Sequence, residues 1–154
     1  MLTNSNSVSA DELTDALDLA NDLRPVLLRL NRHLRRELAP LGITAGQAAL
    51  LHAIDTGVAV GVRELAERER LSRPRVTAAV DRLESLGLVS RTRSEVDRRR
   101  VELAVTAEGR RIRRSARRRR TVWLAARLAQ LDEAERTSVA NALPALERLL
   151  EVHP

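Results

Sequence analysis

Residues 62–109 carry the sequence pattern that most restricts what this chain can fold into. Two short segments there repeat their apolar residues at helical spacing, and two later segments have the pattern of strands. These four segments cover residues 62–69, 73–86, 88–93 and 100–105. A tight link joins the two helices, and an arginine-rich turn joins the two strands. This order predicts a helix-turn-helix followed by a β-hairpin wing, an arrangement that binds duplex DNA.

Short-range signals indicate where these elements begin and end. Ser72 stands at the N-cap position of the second helix, and Gly87 follows the last turn of that helix as a C′ glycine does. In the second strand Val101, Leu103 and Val105 alternate with less apolar residues, which predicts a strand with one buried face.

Helical periodicity continues on both sides of this segment. Leucine and alanine recur at steps of three and four along the N-terminal part of the chain, and similar patterns occur before the helix-turn-helix and after the wing. These further helices are predicted at residues 11–38, 45–56, 107–130 and 132–152. The predicted fold class is therefore all-α with a small antiparallel β-wing.

Composition excludes several classes of function. The chain has no cysteine, which excludes disulfides, thiol catalysis and zinc sites built on cysteine. Trp123 is the only aromatic residue, so stacking of unpaired bases is not expected. The three histidines lack ligand spacing, and the sequence shows no paired catalytic carboxylates and no glycine-rich phosphate loop. We therefore expect no metal, no cofactor and no enzymatic activity.

The sequence also argues against export and membrane insertion. The first ten residues are polar, unlike a secretory signal, and the apolar runs are far shorter than a membrane-spanning helix requires. We therefore expect a soluble cytoplasmic protein with no membrane partner.

The positive charge is concentrated in the middle of the chain. The formal net charge is +6, yet residues 61–120 alone hold 19 arginines against 9 acidic residues, a net of +10. The segments 1–60 and 121–154 each carry a net charge of −2. There is no lysine, so every basic group is a planar guanidinium that suits phosphate and guanine edges. A field of this kind attracts the phosphate backbone of DNA.

The N-terminal part of the second helix is the predicted base-reading element. Helical geometry turns Arg73, Arg75, Thr77 and Ala78 outward, where Arg75 can form a bidentate bond to guanine and Thr77 can contact a thymine methyl group or a phosphate. Ala78 is small enough for close approach, and Arg82, one turn further on, is better placed for phosphate. The alternative is that these residues are a solvated helix surface.

The turn of the wing is predicted to enter the minor groove. An arginine at a turn tip is attracted by the negative potential of narrow A·T tracts, and a nearby carboxylate can orient its guanidinium. Asp97 and Arg99 have this relation, and Arg91, Arg93, Arg98 and Arg100 surround them. The alternative is that Asp97 only shapes the hairpin turn.

Together these residues resemble the MarR family of bacterial transcription regulators. The matching segments are Glu64-Leu65-Ala66, Leu71-Ser72, Val76-Thr77, Arg82-Leu83-Glu84, Gly87-Leu88-Val89, Arg91, Asp97-Arg98-Arg99, Leu103 and Thr106-Ala107-Glu108-Gly109, with Ile43-Thr44-Ala45-Gly46-Gln47 upstream. One departure is Glu69-Arg70, where members often have an apolar residue followed by glycine or a similar turn residue. This departure makes Arg70 an additional candidate contact to the DNA backbone.

The resemblance implies a homodimer whose first and last helices interleave. It places residues 11–40 and 107–152 in a helical dimerisation lobe and residues 44–106 in a winged helix-turn-helix DNA-binding lobe. Members usually repress genes from palindromic sites, and many release DNA when a small, often aromatic, ligand enters a cleft between the lobes. The implied function is a sequence-specific repressor that binds double-stranded DNA and responds to a small-molecule effector of unknown identity.

Some alternatives stay open. The arginine-rich run at residues 110–120 is either a contact to the DNA backbone with a steering role or a solvated face that pairs with acidic residues of a partner, such as those in residues 11–22. Trp123 fits a core or a dimer interface better than an effector pocket. An architectural or non-specific DNA-binding protein is the alternative function.

Overall fold

The computed structural model describes residues 9–57, 61–93 and 101–151. Within those ranges it contains six α-helices, a short 3₁₀ helix and two strands. In chain order these are α1 (Ala10–Arg36), the 3₁₀ helix (Ala39–Leu41), α2 (Ala45–Asp55), α3 (Val62–Arg68), α4 (Arg73–Ser85), β1 (Val89–Arg93), β2 (Val101–Val105), α5 (Ala107–Leu128) and α6 (Glu133–Glu151). The predicted fold class is confirmed, and every predicted element is present with small shifts at its ends.

The chain divides into two units between Arg36 and Glu37. In the first unit the structure describes α1 and the residue before it. Ser9 caps this helix, because its amide donates to Glu12 Oε2 (2.8 Å) and its hydroxyl accepts from the Glu12 amide (3.2 Å). No residue of α1 is buried within its unit, and leucines such as Leu13 are exposed. The apolar stripe that the sequence predicts is therefore present but uncovered.

The second unit has a hydrophobic core built by α2, α3, α4, both strands and the first half of α5. Its most deeply buried side chains are Leu38, Leu50, Leu51, Leu65, Val76, Val80 and Leu83. On α4 the buried residues are Val76, Val80 and Leu83, so this side of the helix faces the core. Leucine, valine, isoleucine and alanine fill this core without any aromatic side chain.

The N-termini of α2 and α4 are capped in different ways. Thr44 makes a capping box with Gln47, in which each side chain accepts from the other residue's amide. Ser72 stands at the N-cap of α4, as predicted, but its side chain makes no capping hydrogen bond. An N-cap side chain accepts from the second or third amide of the helix, and the second residue here is Pro74, which has no N–H.

Both helices of the helix-turn-helix end in the same type of hydrogen-bonded turn. After α3 the Leu71 amide donates to the Ala66 carbonyl (3.0 Å), and after α4 the Leu88 amide donates to the Leu83 carbonyl (2.9 Å). This turn needs one residue in the left-handed region. Gly87 takes that position after α4 with φ of 69°, as predicted, whereas Arg70 takes it after α3 with φ of 51°.

The wing is an antiparallel pair of strands that aligns Val89 with Val105 and Arg93 with Val101. Leu103 and Val105 point into the core, as the alternation predicts. Val101 is 51% exposed, so its predicted burial was wrong. Its partner is the last residue of β1, at the end of the hairpin remote from α5. The predicted turn at residues 94–99 lies outside the described residues.

Candidate DNA interface

The outer face of α4 is exposed at every position predicted to read DNA. These positions are Arg73, Arg75, Thr77, Ala78 and Arg82. The opposite face is anchored in the core through fully buried side chains such as Val80, which fixes the rotation of the helix about its own axis. From Arg75 to Arg82 the helix advances about 10 Å along its axis, a length that fits the major groove, about 12 Å wide.

Arg91 connects the wing to α4 through two carboxylates. Its Nη2 donates to Asp81 Oδ1 (2.6 Å) and its Nη1 donates to Glu84 Oε2 (2.5 Å). The hydrogen bond with Asp81 is the largest of the causes that raise the pKa of Arg91 above its ordinary value, and the charge of Glu84 acts in the same direction. The side chain of Arg91 is 29% exposed, so the pair of bridges lies at the edge of the surface.

These bridges change the charge of α4. The helix carries two acidic residues, Asp81 and Glu84, and each unpaired carboxylate would repel phosphate. Because the single charge of Arg91 offsets only one of the two carboxylate charges, the bridges reduce the negative charge on this side of α4 without removing it. The sequence prediction placed Arg91 among the wing contacts to DNA and missed this pairing. The sequence does contain one signal for this pairing. Asp81 and Glu84 are three positions apart, which puts them on one side of the helix, where one cation can reach both.

The junction of α4, the wing and α5 is fixed by one threonine and one glycine. The Thr106 hydroxyl donates to the Gly87 carbonyl (2.7 Å) and accepts from the Gly109 amide (3.0 Å), so it caps α5 and binds the end of α4 at once. Gly109 packs so closely on Leu88, the residue before β1, that a Cβ there would lie 2.0 Å from the Leu88 carbonyl oxygen. The Thr-Ala-Glu-Gly segment thus sets how the wing leaves α4.

The remaining wing residues of the predicted site are only partly described. Arg93 is the last residue of β1, and the structure describes its backbone. Asp97, Arg98 and Arg99 lie outside the described residues. Their contacts with the minor groove therefore stay predictions.

The arginine-rich run at the start of α5 has partners in its own chain, which neither interpretation of the sequence included. The pairs are Arg110 with the Val105 carbonyl (2.7 Å), Arg111 with Glu108 (2.5 Å), Arg113 with Asp55 (2.6 Å) and Arg119 with the Glu37 carbonyl (2.9 Å). The hydrogen bond from Arg111 lowers the pKa of Glu108 below its ordinary value. Part of the run thus secures α5 to the core.

The described residues provide neither a group suited to a metal ion nor a membrane-spanning helix. Over residues 9–57, 61–93 and 101–151, no group of three or more histidines or acidic residues is placed to hold a metal ion. None of the described helices combines the length and the apolar character that a membrane crossing requires.

A helix-turn-helix with an exposed basic second helix and a following β-hairpin defines the winged-helix class of DNA-binding folds. The model of the MarR family matches residues 41–100. A helix-turn-helix-type transcriptional regulator of Mycobacterium tuberculosis is 32% identical over 136 residues, which cover 88% of this chain and 95% of that protein. The chain belongs to the MarR family of transcriptional regulators.

Two further comparisons agree with this assignment. The transcriptional repressor MdtR of Bacillus subtilis is 31% identical over 101 residues, which cover 66% of this chain and 64% of that protein. The solved structure of a MarR family protein from Bacillus stearothermophilus has a TM-score of 0.76 and 26% identity, covering 90% of this chain and 97% of that one.

Proposed function

We propose that this transcriptional regulator is a homodimeric repressor that binds a palindromic site in double-stranded DNA and releases it in response to a small-molecule effector. In this proposal residues 44–106 bind DNA, and residues 11–40 and 107–152 form the dimerisation lobe. The observation that carries the proposal is the outer face of α4, where the side chains predicted to read DNA are all exposed and the two acids of the helix are paired with Arg91.

The geometry of α4 supports direct reading of base edges. Its N-terminal turn exposes Arg75 and Thr77, and the N-terminal residues of the second helix are those that reach base edges in a helix-turn-helix. A guanidinium fork on guanine discriminates against the wrong base by about 1–3 kcal/mol. Arg73 is proposed to add to this specificity, whereas Arg82, one turn further on, is proposed to bind phosphate, which fixes position without reading sequence.

The terminal helices support dimerisation. α6 leaves Val139, Leu143 and Leu150 exposed, and α1 leaves Leu13 and Leu17 exposed in its own unit. Contiguous apolar surface of this kind marks interaction sites, and most soluble oligomers are symmetric homodimers. A twofold dimer places two copies of α4 on successive major grooves, which matches a palindromic site.

Competition binding tests the proposal. The full chain is titrated with a labelled fragment of its own upstream region, in the presence of unlabelled random duplex at fixed salt. A repressor of its own gene prefers the upstream fragment, and footprinting shows two symmetric half-sites. Equal competition by random duplex would show an architectural or non-specific DNA-binding protein instead.

A matched pair of variants tests the division of roles on α4. We expect Arg75→Ala to cost about 1–3 kcal/mol on the operator and to relax the preference for it. We expect Arg82→Ala to weaken operator and random duplex alike and to lower the dependence of affinity on salt by about one counterion. Equal effects of both variants on both duplexes would contradict these roles.

A further inference from the structure

Ser72 has a hydroxyl group that the fold leaves unused. The residue is exposed at the start of α4, and its side chain makes no capping hydrogen bond. By contrast, the hydroxyls of Ser85 and Ser138 each donate to a backbone carbonyl of their own helix. Ser72 therefore offers an accessible oxygen nucleophile that has no partner among the described residues.

The segment around this serine is basic, and its arginines are not neutralised. In the described part of the chain no carboxylate is paired with the three exposed arginines nearest to the serine, which are Arg70, Arg73 and Arg75. The two carboxylates before them have other partners, because Glu67 binds Arg63 (2.9 Å) and Glu69 lies 4.0 Å from Arg68. An uncompensated group of guanidiniums therefore surrounds a free hydroxyl.

Backbone conformation separates Ser72 from other hydroxyls that follow arginine. Ser115 and Thr121 lie inside α5, where helical hydrogen bonds hold the backbone. Ser72 has φ of −68° and ψ of 145°, an extended conformation in the link between α3 and α4. Two residues earlier Arg70 has φ of 51°, which costs conformational energy in a residue other than glycine. A strained link opens at a lower cost than a helix, so the segment at Ser72 can enter the cleft of an enzyme.

A phosphoryl group on Ser72 would meet several donors. The amides of Arg73 and Arg75 have no acceptor among the described residues, and the guanidiniums of the same two residues are unpaired. Phosphorylation adds three strong acceptor oxygens and a charge of about −1.5 to −2. Beside an arginine cluster such a group forms about one to three charge-assisted hydrogen bonds. The modified serine would thus supply the cap that the unmodified one does not.

We propose that Ser72 is a phosphorylation site, the substrate of a serine kinase that recognises arginines next to the acceptor hydroxyl. Charge patterns of this kind are among the features by which kinases select substrates. In the transfer, Ser72 Oγ forms a bond to the γ-phosphorus of ATP while the bond between that phosphorus and the oxygen bridging to the β-phosphate breaks. ADP leaves, and the hydroxyl proton passes to the catalytic aspartate of the kinase.

The consequence is a second route to release of the operator, a step that rests on the proposed function. The phosphoryl group places negative charge at the N-terminal end of α4, the end proposed to meet base edges and phosphates. It also competes with DNA for the guanidiniums of Arg73 and Arg75. Because both effects oppose binding of the DNA backbone, we expect operator affinity to fall by at least about tenfold.

Phosphotransfer tests the site without DNA. The full chain is incubated with magnesium ATP and the catalytic subunit of an arginine-directed serine kinase, and peptide mass spectrometry locates the product. We expect one phosphoryl group on Ser72 and none there in Ser72→Ala, a variant that should melt as the parent chain does because no capping bond is lost. Absence of transfer to Ser72 in the folded parent chain, whether or not Thr121 or another residue reacts, would overturn the site.

Phosphoserine placed at position 72 during synthesis tests the consequence without a kinase. The matched control carries phosphoserine at position 85, an exposed position at the last residue of the same helix, about 20 Å further along its axis. A phosphoryl group favours a helix N-terminus and disfavours a C-terminus. The melting temperature should therefore rise by a few degrees with phosphoserine at position 72 and fall with phosphoserine at position 85. A fall in both proteins would show that the group at position 72 finds no donors.

Operator affinity gives the regulatory readout. Fluorescence anisotropy at constant ionic strength compares the unmodified chain with the two phosphorylated chains, and the loss of affinity should be confined largely to phosphoserine at position 72. Equal losses at the two positions would reflect net charge alone and would overturn the switch. If the unmodified chain shows no preference for the operator, the proposed function fails, whereas the phosphotransfer result still decides the modification site.

Discussion

The winged helix-turn-helix and the terminal helices use the same apolar residues in opposite ways. In the former, Leu51, Leu65 and Leu83 are 0% exposed. In α6, Leu143 and Leu150 are 53% and 82% exposed. The first region completes its own core, whereas the terminal helix leaves its apolar face without cover. Burial of apolar surface stabilises by roughly 25 cal/mol per Å², so this helix gains most of its stabilisation only when a second surface covers it.

The boundary between these two kinds of structure runs through α5. Gly109, Ile112 and Ala116 in its first half are buried in the core, but Val122 in its second half is 59% exposed. One helix therefore belongs to both regions.

The largest effect we expect comes from a leucine pair across the two regions. Leu83→Ala removes a fully buried side chain and should lower the free energy of unfolding by about 2–5 kcal/mol. Leu143→Ala removes the same atoms from an exposed site of α6 and should change the unfolding of a dilute monomer by less than about 1 kcal/mol. Denaturant unfolding of both variants at low protein concentration measures the difference.

The same pair separates folding from assembly. Sedimentation equilibrium should show weaker self-association for Leu143→Ala, because that leucine is proposed to lie in the dimer interface. Comparable losses of unfolding free energy for the two variants, with unchanged association, would mean that α6 is covered within one chain. The two regions would then not differ in how they bury their leucines.

The second effect comes from the point where α5 enters the core. Gly109→Ala should destabilise by about 1–3 kcal/mol through overpacking, because the added Cβ would meet the Leu88 carbonyl oxygen at 2.0 Å and the Val105 side chain at 2.7 Å. Helix propensity alone predicts the opposite sign, since alanine is favoured over glycine by about 1 kcal/mol inside a helix. Thermal unfolding decides between the two.

A matched control is Ser115→Ala, a small substitution on the same helix and away from the wing. It should leave the melting temperature within a few degrees of the parent value. A higher melting temperature for Gly109→Ala than for the parent chain would show that the contact between α5 and the wing is loose.

Features set by neighbours in the chain could be predicted from the sequence. The caps at Thr44 and Thr106, the C′ glycine Gly87 and the outward face of α4 all depend on residues within one or two helical turns. Ser72 shows the limit of such signals, because a capping residue needs a free amide and Pro74 removes one of the two in reach.

Features set by distant residues could not be predicted. The bridges of Arg91 to Asp81 and Glu84 join a strand to a helix seven and ten residues earlier, and only the turn at Gly87 brings them together. A cavity is formed where Arg120 of α5 lies opposite His52 of α2, and these two residues are some seventy positions apart in the chain. Side-chain charge and spacing indicate that such groups will find partners but do not say which ones.

The third effect concerns the charges that are paired within the winged helix-turn-helix. It tests whether they stabilise that region, as its buried leucines do, or mainly support DNA binding. Arg91→Ala should lower the free energy of unfolding by only about 1 kcal/mol, because the bridges lie near the surface. It should also weaken DNA binding, because it leaves Asp81 and Glu84 unpaired on α4. Fluorescence anisotropy with operator duplex measures the affinity.

A rescue experiment tests the cause of the weaker DNA binding. If exposed carboxylates weaken the binding, Arg91→Ala combined with Asp81→Asn and Glu84→Gln should recover most of the lost affinity. Arg91→Lys should retain part of it, since lysine keeps the charge but not the fork that reaches both acids. No recovery in the triple variant would indicate that Arg91 itself contacts DNA, as the sequence first suggested.

The smallest effect concerns the link between α3 and α4, the one place in the described helix-turn-helix where the backbone is strained. Arg70 has φ of 51° at a position that favours glycine. Arg70→Gly should therefore stabilise the fold by about 0.5–1 kcal/mol, while Arg70→Ala keeps the strained backbone and should not.

Both variants remove the guanidinium, so both should lower the salt dependence of DNA binding by about one counterion if Arg70 binds the DNA backbone. A gain in stability confined to Arg70→Gly, with an equal loss of salt dependence in both variants, would show that this arginine is retained for DNA at a cost to the fold. If both variants unfold more readily than the parent chain, the turn is held by contacts of the arginine side chain. If Arg70→Gly is no more stable than Arg70→Ala, the strain argument fails.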